Sequence, residues 1–197
     1  MYEGILDLSG IKDSFAFLYE YKLFDENENL VCYKVSKANS LLHNFAVAFF
    51  AAFMWYTGVQ FRDVNGTLYY PRARDCFNLN ITAGTTRIVF SNNTADATLN
   101  FYDYKLNTII TTVSQVAGYP QRVYEASDVW AQLKFVDKYQ NTGSDTNIVA
   151  SALYYYYIVD SSATNKTVML AKDVFNPALS FPAGYIIEFS YIFRIQL

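Results

Sequence analysis

Alternating hydrophobic and polar positions run along most of the chain and predict β-structure. Residues 15–36 predict a β-hairpin, because Phe, Tyr and Leu side chains alternate with polar ones on both sides of a polar turn. Residues 185–197 predict the longest regular strand, and its length favours a central place in a sheet. Asn65-Gly66 predicts a two-residue type I′ turn between strands at 60–64 and 67–70. Further strands are predicted at 77–82, 87–90, 98–104, 108–113, 129–136, 148–159 and 167–174.

One segment, residues 41–56, has the periodicity of a helix and is apolar on every side. Ser40 is a candidate N-cap and Thr57-Gly58 a candidate stop. Ala48, Ala51 and Ala52 form a small-residue face that allows close approach, and a separate bulky stripe is expected to have a role in assembly. Such a helix is wrapped by its own protein, buried between subunits, or in lipid; its roughly 24 Å length is short for a bilayer of about 30 Å. The stripe consists of Phe45, Phe49, Phe53 and Tyr56.

The many short strands predict an all-β fold, a β-sandwich with one apolar helix near the N-terminus. With 197 residues, a single domain over 1–197 is expected, in which the hairpin (15–36) and the helix (41–56) form a candidate assembly element. Composition narrows the function, since 52% of the residues are apolar, 17% are charged and the net charge is −3. Disorder and nucleic-acid binding are therefore excluded, and no signal peptide is expected.

The residues that catalysis most often needs are scarce. His43 is the single histidine, and its place at the start of the helix favours a capping or core role over that of a catalytic base. Phosphate-cradling, dinucleotide and metalloprotease motifs are absent from the sequence. Paired carboxylates of a glycosidase depend on spatial separation, which a sequence does not give. We expect no enzymatic activity, no cofactor and no metal.

Several polar and aromatic groups leave two interpretations open. Cys32 and Cys76 allow one disulfide or a pair of buried free thiols. The run from Tyr154 to Tyr157 suits a sugar-stacking platform or, more simply, a strand with tyrosines in the core and at an interface. Arg72 and Arg74 suit a solvated loop better than an anion clamp. Candidate N-glycosylation sites are Asn65, Asn80, Asn92 and Asn165.

The order of these elements resembles that of virion structural proteins of tailed phages and archaeal viruses. The resemblance is carried by the hairpin at 19–35, the segment 37–45 leading into the helix, the glycine–threonine segment 81–86, and the stretch 167–185 before the final strand. In that stretch Lys172 stands where an arginine is commoner. The resemblance implies a tail, neck, fibre or capsid-vertex component on a jelly-roll-like sandwich. Low charge and abundant Tyr, Asn and Thr also resemble glycosylated coat proteins of viruses of thermophilic archaea.

The first hypothesis is therefore a non-enzymatic virion protein, a subunit of a capsid, vertex or tail that binds copies of itself and other virion proteins. A receptor-binding module of a spike or fibre, which recognises cell-surface glycan, is the alternative. A membrane-associated virion protein anchored by residues 41–56 is a further one, with lipid as its partner. All three place the protein in the virion.

Overall fold

The computed structural model of the protein describes residues 15–38, 41–73 and 86–196, and most of them lie in antiparallel β-sheets. Within these ranges α1 is the one α-helix. In chain order the elements are β1 (Phe15–Phe24), β2 (Leu30–Lys37), α1 (His43–Met54), β3 (Phe61–Arg62), β4 (Leu68–Tyr69), β5 (Thr86–Ser91), β6 (Val113–Gln115), β7 (Gln121–Ala126), β8 (Trp130–Asn141), β9 (Thr146–Val159), β10 (Asn165–Phe181) and β11 (Ile186–Gln196).

The chain divides into two compact units. The first contains the described residues within 1–39, 110–148 and 179–197, and the second those within 40–109 and 149–178. The all-β class with one helix is therefore observed, whereas the single domain over 1–197 stays a prediction.

The first unit is built on one antiparallel sheet in the order β2-β1-β11-β8, with β6 and β7 both paired to the far edge of β8. β11 lies between β1 and β8, which is the central place that its length predicts. The turn at 25–29 joins β1 to β2, so this pair occupies the place of the predicted hairpin. β7 is a strand that the sequence pattern does not predict.

Strict alternation gives this sheet an aromatic face. Tyr19 stacks on Phe189 with ring centroids 5.7 Å apart, and Phe17 stacks on Tyr191 at 5.6 Å. All four of these side chains are buried. These four aromatic residues are thus core residues of the first unit, where cross-strand ring pairs stabilise the register.

The second unit is built on the sheet β10-β9-β5, the hairpin β3–β4 and α1. Two hydrophobic clusters form its core, and neighbouring tyrosines of β9 fall into different ones, as alternation requires. Tyr155 packs with Val168 and α1. Tyr154 packs with Met169, and its hydroxyl oxygen accepts a hydrogen bond from the Leu106 N–H at 2.8 Å.

α1 packs on this core through its small side chains. Val47, Ala48 and Ala51 are buried, because residues without bulk allow the helix to approach the sheet closely. The buried side chain of Asn44 fixes the start of the helix: it donates to the carbonyls of Arg62 and Met169 and accepts from the Arg62 N–H. The helix begins after Leu42, which gives no side-chain cap; Ser40, the candidate N-cap, lies outside the described residues.

Three hairpin turns within the described ranges share one design. An aspartate at the first position accepts two backbone N–H bonds at its Oδ1, from the third and fifth residues, and the fourth residue has a positive φ. The first and fifth residues also pair through their backbones. The side chain therefore satisfies donors that would otherwise need water. The three turns are 25–29, 63–67 and 160–164.

The turn at Asn65-Gly66 is one of these, so the predicted two-residue type I′ turn is wrong. A type I′ turn needs a positive φ at both central residues, but only Gly66 has one, at 87°. Gly66 N–H donates to the Asp63 carbonyl at 2.9 Å, which closes a wider turn started by the aspartate.

The fourth position of these turns provides a matched stability test. Gly66 occupies it without strain, whereas Ala163 adopts φ 63° at the cost of a Cβ in the left-handed region. We expect Ala163→Gly to stabilise the fold by about 0.5–1 kcal/mol and Gly66→Ala to destabilise it by about 1 kcal/mol. A Cβ on Gly66 would approach Tyr104 no closer than 3.5 Å, so the cost is conformational. Urea unfolding measures both, and equal signs for the two variants would contradict the strain argument.

One predicted strand is absent and others are displaced. Residues 98–104 form a loop, because Asn100 and Asp103 bond local backbone groups instead of a neighbouring strand. Most of 108–113 is also irregular, and β6 starts at its last residue. The predicted strand at 77–82 lies outside the described residues.

Candidate functional site

The second unit exposes two groups of large apolar side chains, which together we call the aromatic surface. Part of it lies at the C-terminal end of α1, where Met54 is 66% exposed and Trp55 56%. The other part lies on the loop 98–103, where Tyr102 is 66% exposed. Exposed apolar residues that cluster in this way are typical of interaction sites. The members are Phe49, Phe50, Met54, Trp55, Tyr56, Leu99, Phe101 and Tyr102.

The end of α1 holds its aromatic side chains in a fixed backbone geometry. Trp55 caps the helix with φ 59°, a left-handed conformation in which glycine is usual. The N–H of Tyr56 donates to the Phe50 carbonyl at 3.2 Å. The Tyr56 ring lies so close to Gly58 that a Cβ there would be 3.0 Å from the ring. A bulky residue at a position that favours glycine costs about 1 kcal/mol of conformational free energy. The Trp55 indole is therefore exposed to solvent in spite of a local conformational cost.

The loop 98–103 is fixed from below by Lys172 of β10. The Lys172 side chain is 3% exposed, and its Nζ donates to the Thr98 carbonyl at 2.8 Å and to Asp103 Oδ2 at 2.7 Å. Within the loop, Tyr102 N–H donates to Asn100 Oδ1 and Asp103 N–H donates to the Asn100 carbonyl, both at 2.9 Å. The exposed side chains of this loop are thus carried on an ordered backbone.

Asp96 anchors the chain just before this loop. It is fully buried, and it accepts from the Ser91 hydroxyl at 2.6 Å and from the backbone and side-chain nitrogens of Asn107. Burial alone would raise the pKa of Asp96, but the hydrogen bonds from Ser91 and Asn107 outweigh it and hold the pKa below its ordinary value. The carboxylate therefore joins both ends of the segment that contains the loop.

His43 connects the loop to α1. Its backbone N–H donates to the Phe101 carbonyl at 2.9 Å, and its ring lies 5.7 Å from that of Phe101 and 5.2 Å from that of Tyr102. Burial and the charge of Arg62 lower the pKa of His43, so the ring is neutral at pH 7. His43 and Phe50 are seven residues apart and so lie on one side of the helix, about 10 Å apart along its axis.

The predicted assembly stripe is divided in the structure. Phe49 and Tyr56 are exposed members of the aromatic surface, and Tyr56 lies beyond the helix, which ends at Met54. Phe45 is half-buried against the core, 6.1 Å from the Phe49 ring. The side chain of Phe53 lies outside the described residues. Sequence analysis missed the loop 98–103, although the Asn100 and Asp103 spacing is a signal for a turn.

The tyrosine run on β9 is not a surface platform over its first half. Tyr154 and Tyr155 are buried in the two clusters of the second unit, while the side chains of Tyr156 and Tyr157 lie outside the described residues. Exposed rings that suit sugar stacking are instead found at Trp55 and Tyr102.

The first unit also has an ion-pair network, which lies on the face of its sheet opposite the aromatic face. Lys22 Nζ is 2.9 Å from Glu188 and 3.7 Å from Glu20, and Lys134 Nζ is 3.7 Å from Glu20 and 3.2 Å from Glu125. The carboxylates of this network belong to Glu20, Glu125 and Glu188.

The network holds its carboxylates in the ionised form. Burial alone would raise the pKa of Glu188, but the hydrogen bond and charge of Lys22 and the hydrogen bond from Tyr119 outweigh it and lower the pKa. In the same way Gln132 and Lys134 lower the pKa of Glu125. A general acid needs a raised pKa, whereas the pKa of both Glu188 and Glu125 is lowered.

The remaining candidate residues are dispersed. Asn65, Asn92 and Asn165 are exposed, and Asn65 lies in the aspartate-started turn. Cys32 Sγ on β2 is 3.9 Å from the Tyr21 hydroxyl. Asn80, Cys76 and Arg74 lie outside the described residues, so glycosylation of the asparagines and the state of the cysteines stay predictions.

In the part of the chain that the structure describes, no group of three or more His, Cys, Asp or Glu residues is arranged to hold a metal ion. None of the helices in the described ranges has the length and hydropathy of a membrane span.

Comparison with known proteins adds no family to this description. No family model matches the chain, and comparison with curated proteins and with solved structures gives no match.

Proposed function

We propose that this protein is a non-enzymatic structural subunit of a virus particle, which assembles through the aromatic surface. The observation that carries the proposal is the exposure of eight large apolar side chains on one unit of a small, weakly charged protein. Such a surface is costly in water and is retained where a partner covers it. Repetition of one contact in a symmetric particle multiplies a modest interface.

The strand order supports the jelly-roll-like part of this proposal. β1 pairs with β11, and β11 pairs with β8, so neighbours in the sheet are distant along the chain. Crossovers of this kind occur in jelly rolls and other Greek-key folds.

The assembly prediction is tested on the purified 197-residue chain. We expect light scattering to show oligomers that grow with concentration, and negative-stain images to show closed particles or rings. Virus particles from cells that produce the protein naturally can be purified on a density gradient. They should contain the chain at a constant ratio to the other particle proteins. A monomer at all concentrations, together with absence from the particle fraction, would contradict the proposal.

Glycan recognition is the second candidate function, and the geometry of the loop 98–103 favours it. Tyr102 presents a largely exposed ring with a polar tip on an ordered backbone, which suits stacking against a sugar. A glycan array would show selective binding that Tyr102→Ala removes. Tyr124→Ala, at a similarly exposed position on β7, should retain it. An array that shows no selective binding would argue against glycan recognition and leave the structural role as the remaining proposal.

A further inference from the structure

We infer that the second unit binds an acidic saccharide, a sugar that carries a carboxylate or sulfate group, beside the exposed ring of Tyr102. The negative group would be held by Arg62, Tyr104 and Lys105, which we call the cationic site. This inference rests on glycan recognition, the second candidate function, and names the class of glycan.

Two cationic side chains meet at the ring of Tyr104. The Cζ atom of Arg62, on β3, lies 5.1 Å from the ring centroid, and the Nζ atom of Lys105 lies 5.7 Å from it. Both distances are typical of cation–π contacts, so one ring holds two like charges near each other. Arg62 and Lys105 are exposed. An anion at the edge of the ring can lie within about 8 Å, one Debye length at physiological salt, of both charges.

No carboxylate in the described part of the chain neutralises these two charges. Among the described residues, no Asp or Glu forms an ion pair with Arg62 or Lys105. The neighbouring aspartates have other partners: Asp63 accepts backbone N–H groups of its own turn, and Asp103 accepts from Lys172. A guanidinium group has five N–H donors and an ammonium group has three, so the site offers several donors to a negatively charged ligand.

The backbone beneath the cationic site is ordered without a ligand. The Arg62 N–H donates to Asn44 Oδ1 at 2.9 Å, and Asn44 Nδ2 donates to the Arg62 carbonyl at 2.8 Å. The ring of Tyr104 lies against the turn between β3 and β4, where a Cβ on Gly66 would be 3.5 Å from the Tyr104 hydroxyl. Less conformational freedom is lost on binding when the protein side of a contact is ordered beforehand.

Described contacts join the cationic site to Tyr102. The ring of His43 lies 5.2 Å from that of Tyr102. After burial, the charge of Arg62 is the second cause that lowers the pKa of His43, so the guanidinium group acts on the ring that Tyr102 contacts. Tyr102 and Tyr104 are also two residues apart in the chain. A sugar ring that stacks on Tyr102 can therefore direct a negative substituent towards the cationic site.

These surroundings favour a small acidic sugar over a nucleic acid. The net charge of −3 repels long polyanions, and a nucleic-acid backbone needs more cations than the two at this site. Tyr102 is 66% exposed, which leaves its ring open to stacking. Within the described ranges, the hydroxyls of Tyr102 and Tyr104 make no hydrogen bond to the chain. They are therefore available to the hydroxyls of a sugar.

Because the site is open to solvent, we expect weak binding to a single sugar, with a Kd on the order of 1 mM. Many copies of the site on one particle would bind a glycan-rich surface far more strongly, since each further contact is intramolecular.

Saturation-transfer NMR on the purified chain tests the inference with three sugars that share one core: lactose, sialyllactose and sulfated lactose. We expect sialyllactose or sulfated lactose to bind about tenfold more tightly than lactose, because only these two carry an anion. The tighter of the two identifies the group as a carboxylate or a sulfate. The preference should decrease as sodium chloride is added.

Charge-removing variants locate the site. Arg62→Gln and Lys105→Gln should each weaken binding of the acidic sugar about threefold and leave lactose binding unchanged. Arg62→Gln keeps the backbone bonds to Asn44, so its melting temperature should equal that of wild type. Lys138→Gln is the matched control, because it removes a lysine that lies 5.1 Å from the centroid of the Phe24 ring in the first unit. It should bind both sugars like wild type.

Each outcome decides the inference. Acidic and neutral sugars that bind equally, and are both lost in Tyr102→Ala, overturn it while glycan recognition stands. If none of the three sugars binds, both the inference and glycan recognition fall, and the virion role is unaffected. An acidic preference that persists in Arg62→Gln and Lys105→Gln overturns the assigned site. Sodium sulfate or an acidic peptide that binds as tightly as the acidic sugar overturns the saccharide in favour of a simple anion or a protein.

Discussion

Asp96→Ala is expected to destabilise the protein by about 3–5 kcal/mol, because hydrogen bonds to a buried charged group contribute about 1.5–3 kcal/mol each and their donors would be left buried. The carboxylate is fully buried and accepts from Ser91 and Asn107. Its loss leaves the Ser91 hydroxyl and the Asn107 N–H without their acceptor. Equilibrium urea unfolding measures the change, and Asp128→Ala, at an exposed aspartate of the first unit, is the matched control.

The pH dependence gives an independent check on the same group. Because the folded pKa of Asp96 lies below its ordinary value of 3.8, its contribution to stability is present above that value and is lost as the pH falls through the folded pKa. The difference in unfolding free energy between wild type and Asp96→Ala should therefore shrink in acid. A difference that is constant between neutral pH and strongly acidic pH would show that the carboxylate's charge is not responsible.

Lys172→Met is expected to destabilise the protein by about 2–3 kcal/mol, less than a fully buried ion pair because Asp103 is partly exposed to water. Methionine keeps the length of the apolar stem but removes the donor to the Thr98 carbonyl and to Asp103 Oδ2. The loop 98–103 should then open more often. Hydrogen exchange at Tyr102 and Asp103 should accelerate more than exchange in the first unit.

Lys105→Met is the control for this change, since Lys105 is exposed and follows the same loop. We expect it to alter stability by less than about 0.5 kcal/mol. Asp103→Asn should be milder than Lys172→Met, because an amide oxygen still accepts from the ammonium group. If Lys172→Met left both stability and loop exchange at wild-type values, the loop would not depend on this lysine.

Regular alternation allowed much of the β-structure to be predicted. The aromatic side chains of β1 and β11 alternate over whole strands, and a one-residue shift would turn every ring to the wrong face. Loops that are stabilised by local hydrogen bonds were harder to predict, because such bonds have about the same energy as the hydrogen bonds of strand pairing. Residues 98–104 alternate like a strand, yet Asn100 and Asp103 bond their own neighbours.

The candidate site was predictable only in part. The sequence marks residues 41–56 as apolar on all sides and Ala48, Ala51 and Ala52 as the face for close approach; in the structure Ala48 and Ala51 are buried and Ala52 is half-buried. Lys172 is one polar residue in a long strand, and its partners Thr98 and Asp103 are about seventy residues away in sequence. Such long-range pairs leave no local pattern.

The pairing of β1 with β11 determines when the first unit can form during synthesis. Phe15 pairs with Ile195, so β1 has no partner in β11 until about 180 further residues have been joined during synthesis. During that time the β1 edge of the β1–β2 hairpin has no partner strand, and the aromatic side chains of β1 lack the neighbouring rings of β11. The nascent chain is therefore prone to aggregation. A chaperone that covers the β1–β2 hairpin during this delay is therefore expected to raise the yield of folded protein.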